Sequence, residues 1–454
     1  MRRDFVSRAW ALRHRALSPS QVLVFGFGLI IGVGAALLSL PAASNGKRLS
    51  PVDALFTATS AVCVTGLTVV DTGTFFSPLG QGVILALVQV GGVGFITMAV
   101  AISALIGRRV GLRGWLLMQE AMGHPWVQGM ACLALRVLGA AMAFEGIGAV
   151  LLFLRWLPKL GVGRAAWFAV FHSVTAFANA SFDLFGQLGG SGLSAHRADP
   201  WVNAVVGGLM VLGGLGITVL NELWRWPSSR RFSLHTRLVL VVSGALLLGG
   251  TLALFAAESE AGTPMGKLPP GERLMAAAFH SASARTCGFT TLPLAELSGA
   301  GKLALLVLMF IGASSASMGG GVKTNTIGAI LAALWSMAKG RDEAEAFGRT
   351  IPKETVYKAL AVISGAAVWI GAASFVLAIS ESQELTALVF ETVSAFSTVG
   401  YSLGATPRLT PLGRLVIAAT MFVGRLGPLT VVAALARRWR PMPTRYPEEK
   451  ILIG

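Results

Sequence analysis

The chain has 454 residues, 54% of them hydrophobic and only 13% charged, against about 25% charged in an average soluble domain. Three cysteines, Cys63, Cys132 and Cys287, stand at no metal-type spacing and exclude a disulfide framework. Five windows carry no charge at all, 72–107, 200–221, 238–257, 303–322 and 359–380, and each is long enough to cross a ~30 Å hydrocarbon core as a helix.

The net charge of +16 is topological. Of 37 Lys and Arg residues, 22 fall in five clusters: Arg2 to Arg15, Arg108 to Arg113, Arg225 to Arg237, Lys339 to Lys358 and Arg437 to Lys450. They recur between every second apolar segment, the positive-inside pattern, so both termini are expected in the cytoplasm and no nucleic-acid partner is expected. The N-terminus starts basic and stays uncharged from Ala16 to Gly46, longer than the 7–15 residues of a signal core. It reads as a retained first membrane helix.

In chain order the apolar pattern repeats four times. Each repeat predicts a helix, a short half-helix with a loop, and a second helix. The spans are 20–43, 51–62 and 79–107; 132–156, 166–177 and 201–221; 237–257, 272–284 and 303–338; 357–380, 385–396 and 411–436. The repeats occupy 20–107, 114–221, 232–338 and 351–436, between a basic N-terminus (1–19) and a tail (437–454). The short segments are alike. Phe56 to Gly66, Phe171 to Ser181, Phe279 to Gly288 and Phe390 to Gly400 each run from an aromatic through a Ser/Thr-rich helical turn to a small residue. The expected fold is an all-α polytopic membrane protein with eight spanning helices and four re-entrant loops in fourfold pseudosymmetry around one pore.

Four such loops have a chemical meaning. Non-helical backbone at membrane depth persists only inside protein or along a water-filled cavity. A half-helix running inward aims its partly negative C-terminus at the membrane centre, which favours a cation, and the loop after it can offer carbonyl oxygens in place of a hydration shell. The expected cation-coordinating residues are Val64, Thr65 and Gly66; Asn179, Ala180 and Ser181; Thr286, Cys287 and Gly288; and Thr398, Val399 and Gly400. Enzyme signatures such as HExxH and GxSxG are missing, so no catalytic residues are expected. A coupled secondary transporter is the rival reading, distinguished by two broken helices in place of four loops.

These repeats, with Thr65-Gly66-Leu67, Arg285-Thr286-Cys287-Gly288-Phe289 and Thr398-Val399-Gly400, resemble the Trk/Ktr/HKT superfamily of potassium-uptake proteins. The tail from Arg445 to Gly454 is most similar to the Ktr membrane subunit. The resemblance implies a multi-pass protein of a bacterial-type inner membrane, a homodimer in the lipid bilayer, with a cytoplasmic ring of nucleotide-binding regulatory subunits. It also implies K⁺ as the transported ion, bound at the filter residues, with Na⁺ dependence, and no covalently bound cofactor. No GxGxxG or nucleotide P-loop occurs in this chain, so nucleotide binding belongs to the partner.

The resemblance further marks the stretch Gly312 to Lys323, with Gly319, Gly320 and Gly321, as an intramembrane gate loop. Small side chains and a glycine triplet there will not hold a stiff helix. Lys323 ends the loop, and Arg425 is expected near mid-span beneath the filter, contacting it. Resembled Ktr proteins have glycine where this chain has Ser181. Plant relatives with serine at an equivalent position prefer Na⁺, so a Na⁺-permeable or Na⁺-selective protein is the alternative. Glu145 and Arg136 are expected to be structural, His172 and His280 hydrogen-bonded helix residues, and Asp183 and Glu391 sources of negative potential at the pore mouth.

Overall fold

In the computed structural model, residues 18–94, 97, 98, 100, 130–188, 192–260 and 262–435 are described. The basic N-terminus, the Arg108 to Arg113 cluster and the tail after 435 lie outside the described residues.

Helix α1 (Pro19–Leu38) is followed by α2 (Pro51–Val62), the single turn α3 (Thr72–Phe75) and α4 (Pro78–Val93). Helix α5 (Met130–Phe177) is long and kinked at Gly161 (φ 73°), beyond Pro158, so its last stretch, 162–177, is the second repeat's half-helix. Helices α6 (Pro200–Leu215), α7 (Ile217–Ser229), α8 (Leu234–Ala257), α9 (Pro270–Ser283), α10 (Gly299–Phe310) and α11 (Thr324–Ala338) follow. A two-stranded hairpin, β1 (Ala344–Ala346) with β2 (Arg349–Ile351), then leads to α12 (Lys353–Ser380), α13 (Leu385–Phe396), α14 (Pro411–Leu426) and α15 (Pro428–Leu435). The hairpin is a small departure from the all-helical expectation.

Among the described residues, four helices are long and apolar enough to cross a membrane: Ser20–Leu38, Ala134–Phe177, Leu234–Ala257 and Lys353–Ser380. They carry their large apolar side chains outward. Leu29 is 69% exposed, Leu248 67% and Ile379 73%, the inverse of a water-soluble protein. Inside are the aromatics that open each repeat segment, Phe56, Phe171, Phe279 and Phe390, all buried.

The second helix of each repeat starts by one device. Ser77, Asp199, Ser298 and Thr410 each accept an N–H of the first turn (Gly80; Trp201 and Val202; Gly301; Gly413), satisfying donors that a helix start leaves free. The ends of these helices differ from expectation. The spans 201–221 and 411–436 are bent pairs, turning by 102° after Leu215 and by 96° after Leu426. Helix α4 stops at Val93 and does not continue as one rod toward the residue 107 expected from hydropathy, whereas α10 stops at Phe310 and α11 starts at Thr324, on either side of the 312–323 stretch expected to break the helix. At the ends of α4, α6 and α14 the physical cause is glycine: Gly94, Gly216 and Gly427 take φ of 85°, 84° and 84°, which L side chains rarely adopt.

Three further glycines set how these helices dock. A Cβ on Gly91 would lie 2.0 Å from the carbonyl oxygen of Val62, one on Gly213 1.9 Å from that of Phe177, and one on Gly424 1.7 Å from that of Phe396. Helices α4, α6 and α14 therefore press their backbones onto the last turn of their own repeat's half-helix. Replacing any of Gly91, Gly213 or Gly424 by alanine is expected to force these elements apart and to cost about 1–3 kcal/mol, as overpacking does. The check is thermal unfolding of purified protein in detergent. A Gly28→Ala variant, with nothing near its Cβ, serves as the unaffected comparison.

Candidate ion pathway

The half-helices α2, 162–177, α9 and α13 end directly at the four repeat segments. Helices α2 and α13 are 12 residues long, about 18 Å at 1.5 Å per residue, too short to cross a bilayer. Backbone conformation repeats in all four segments. The first residue is left-handed, with φ of 58° at Val64, 61° at Asn179, 79° at Thr286 and 52° at Thr398. The third is left-handed as well: Gly66 85°, Ser181 44°, Gly288 83° and Gly400 94°. For valine and threonine such a φ costs about 1–3 kcal/mol, strain that concentrates at functional sites.

The structure brings the segments into one ring. A Cβ on Gly66 would stand 2.3 Å from the Ala180 oxygen, one on Gly288 2.0 Å from the Val399 oxygen, and one on Gly400 2.2 Å from the Thr65 oxygen. Between the second and third segments the Asn179 carboxamide stands 3.4 Å from the Thr286 hydroxyl, with its nitrogen best placed toward the Ala176 and Met210 oxygens. All twelve residues are buried or nearly so.

The ring's polarity follows from where its hydrogen bonds go. In the first repeat the N–H groups of Val64, Thr65 and Gly66 return to the Ala61 oxygen (3.1 Å), the Ser60 oxygen (2.8 Å) and Ser60 Oγ (3.0 Å). In the fourth, Thr398, Val399 and Gly400 return to Ala395 (3.1 Å), Ser394 (2.8 Å) and Ser394 Oγ (3.1 Å). Asn179 and Ala180 bond back to Ala176 and Thr175, and Cys287 and Gly288 to Ser283. Among the described residues, no backbone N–H donates to a carbonyl of the twelve, and only the Ser181 hydroxyl reaches one, the Thr65 oxygen at 3.4 Å. The donors are used inward and the acceptors are left over, in line with the C-terminal ends of four helices. The array is suited to a cation. Ser181 Oγ lies within 2.7 Å of the positions that a Cβ would take on Gly66, Gly288 and Gly400, so the hydroxyl projects into the centre of the ring.

The 312–323 loop lies against this ring and against the broken ends of the second helices. Gly320 N donates to Thr398 Oγ1 at 2.9 Å, and a Cβ on Gly319 would lie 2.1 Å from Thr286 Oγ1. Gly312 N pairs with the Val322 oxygen at 2.9 Å, closing the loop at its base, and Gly321 N reaches the Gly424 oxygen at 3.3 Å. Ser314 donates from N and Oγ to the Gly214 oxygen (3.1 and 2.9 Å), and Met318 N to the Gly213 oxygen (3.3 Å). Lys323 Nζ donates to the Gly319 oxygen. Arg425 lies in the last turn of α14, at the break between Pro411–Leu426 and Pro428–Leu435, where the helix dipole favours a cation. Its guanidinium donates to the oxygens of Met318 in the loop and of Gly91 and Gly92 at the end of α4. A cavity of about 260 Å³ borders the loop, lined by Thr97, Ser317, Lys323, Arg425 and Thr430 and by none of the ring residues.

Of the remaining polar residues, Glu145 accepts from Gln89 Nε2 at 3.0 Å and Arg136 is exposed. Asp183 is half-buried and accepts from Phe185 N at 2.9 Å. Glu391 does not face the mouth: it is fully enclosed by the loop that follows its own segment. The glycine breaks at Gly94, Gly216 and Gly427 were not anticipated. Their signal is the spacing Gly91-x-x-Gly94, Gly213-x-x-Gly216 and Gly424-x-x-Gly427, in register across three repeats.

Comparison with known proteins gives the family and the fold. Residues 7–439 match the TrkH family, described as cation transport protein. Ktr system potassium uptake protein B of Vibrio alginolyticus is 38% identical over 440 residues, covering 96% of this chain and 95% of that one. Its counterpart in Bacillus subtilis is 39% identical over 439 residues, 96% and 97% of the two chains. The potassium/sodium uptake protein NtpJ of Enterococcus hirae is 36% identical over 447 residues, 97% and 98%. The crystal structure of the potassium transporter TrkH from Vibrio parahaemolyticus shares the fold, with a TM-score of 0.72 at 19% identity over 93% of this chain and 86% of that one. By the family match and the full-length relatives, the chain belongs to the TrkH family of cation transport proteins, and is a membrane transporter rather than an enzyme.

Proposed function

We propose that the chain takes up K⁺ across the plasma membrane through one channel-like path per protomer, at the centre of the four repeat segments. The observation that carries this reading is the ring of left-over carbonyls, whose N–H partners are tied back to the half-helices. The names of the relatives, Ktr system potassium uptake protein B among them, support K⁺ as the ion. The twelve ring residues are the selectivity filter. Each repeat crosses the membrane twice, giving eight spans with both termini cytoplasmic, and the second helices cross as broken rods.

In this reading the 312–323 loop is the gate. It covers the ring on the side of the 260 Å³ cavity and caps carbonyls that the broken helices leave free. Lys323 opposes cation passage electrostatically while the loop is in place. The broken helices do not argue for a coupled transporter, because their terminal carbonyls at Gly91, Gly213 and Gly214 are already taken by Arg425, Met318 and Ser314. A homodimer, opened by a cytoplasmic nucleotide-binding subunit that pulls on the helices flanking the loop, completes the mechanism: such a partner acts through differential affinity for the two loop arrangements.

A second reading has a specific observation behind it. The Ser181 hydroxyl narrows the ring and adds a harder oxygen, and NtpJ is named for both potassium and sodium. Na⁺ then permeates alongside K⁺, or in preference to it.

Two experiments in liposomes test these statements. Purified protein should admit K⁺, and Ser181→Gly should raise the K⁺/Na⁺ flux ratio. An unchanged ratio removes Ser181 from selectivity. Charge-assisted hydrogen bonds contribute about 1.5–3 kcal/mol each. Arg425→Ala, or a loop shortened between Ala313 and Met318, should therefore raise partner-free K⁺ flux at least about tenfold. Flux no higher than the parent in both variants places the gate elsewhere.

A further inference from the structure

The residue that follows the opening aromatic of each half-helix occupies one register in four repeats: Thr57, His172, His280 and Glu391. Two of the four do something the others do not.

His172 is fully buried in α5, with rings of Phe185, Trp156 and Phe289 at 4.5, 5.4 and 6.3 Å. Its Nδ1 stands 2.7 Å from the Phe168 oxygen. A carbonyl only accepts, so this nitrogen carries the hydrogen and Nε2 offers its lone pair. That lone pair takes the N–H of Leu184 at 3.3 Å, three residues past Ser181. Glu391, also fully buried, does the same in the fourth repeat with more bonds. Its Oε1 accepts from Ala405 N (3.2 Å), Thr406 N (3.3 Å) and Ser402 Oγ, and its Oε2 from Thr406 Oγ1 (2.6 Å). Nε2 of His280 and Oγ1 of Thr57, by contrast, are buried with no hydrogen-bond partner.

The contact order around the ring, first to second, second to third, third to fourth and fourth to first, sets the second and fourth segments opposite each other. The geometry points to His172 and Glu391 as positioning residues for ion selection: each fixes the strand leaving its own segment, and so sets how far the carbonyls of two opposed segments stand apart. The proposal rests on the reading of the ring as the cation path. Neither residue touches the ion. They act through backbone N–H groups that no water can serve inside an aromatic or enclosed site, so loss of the acceptor leaves a buried donor unpaired. Alignment of the aromatic positions makes this register visible in the sequence, but His and Glu there gave no hint that they face the outgoing strand.

The test uses the full chain in liposomes, with K⁺ and Na⁺ flux measured per folded protein. His172→Phe keeps the ring packing and removes the acceptor, and should lower the K⁺/Na⁺ flux ratio about threefold or more. His172→Gln, which restores an acceptor, should recover most of it, and Glu391→Gln should fall between. His280→Phe, the same substitution in the register where Nε2 is unpartnered, should leave the ratio at the parental value. Amide exchange over 182–188 should speed up in His172→Phe and not in His280→Phe, a readout that holds if the flux of one variant is low. Parental ratios in both His172→Phe and Glu391→Gln, or an equal fall in His280→Phe, overturn the proposal. A parent that passes no cation overturns the reading beneath it and the proposal with it.

Discussion

The structure depends on one asymmetry in hydrogen bonding. In each repeat a half-helix ends, and two or three residues of the segment after it turn their N–H groups back to its last turns, through Ser60, Thr175, Ser283 and Ser394 among others. Among the described residues no backbone N–H reaches the carbonyls of this buried ring, and the Ser181 hydroxyl alone approaches one of them. Left-over carbonyls are costly in an apolar interior. An arrangement that leaves them so in four places, with strained φ at Val64, Asn179, Thr286 and Thr398, is sustained by what will stand between them. In the proposed function a desolvated cation supplies the missing partners. The surrounding architecture holds the asymmetry in place: glycine contacts at Gly91, Gly213 and Gly424 bring a second helix onto each of three half-helix ends, and the long apolar helices face outward.

The 312–323 loop obeys the complementary rule. Helices that stop inside protein leave terminal carbonyls free, and here the donors that satisfy them come from the 312–323 loop and from Arg425. Ring and loop are therefore coupled chemically. Thr286 and Thr398 offer hydroxyls or methyls to Gly319 and Gly320 while their own backbones lie in the ring. A displacement of the loop would expose carbonyls at three helix ends at once, so the gate proposed above would have two discrete states in place of a graded opening.

Much of this was legible in the sequence because the signal was repeated. An aromatic, a hydroxyl-bearing turn and a small residue in four registers identified the segments, and the departure at Ser181 stood out against three glycines. The 312–323 loop was visible as a run of Gly, Ala and Ser, broken by Met318 and ending at Val322 and Lys323, inside an apolar stretch. The breaks at Gly94, Gly216 and Gly427 were hidden: with 55 glycines in the chain, hydropathy continues across them and reads as unbroken helix. Hidden with them was the reach of Arg425, which ends a helix at such a break, back to Gly91 and Gly92 of the first repeat. Glu391 was misread for a different reason. Charge suggested solvent, but its partners, Ser402 to Thr406, lie in a loop whose return path only tertiary structure reveals.

The most direct measurement is the position of a heavy K⁺ analogue, Rb⁺ or Tl⁺, by anomalous diffraction from the full protein. The account predicts a peak on the axis of the ring, within coordination distance of carbonyls from all four segments. Density confined to another cavity, with the carbonyls of Val64 to Gly66 and Thr398 to Gly400 uncoordinated, would contradict it.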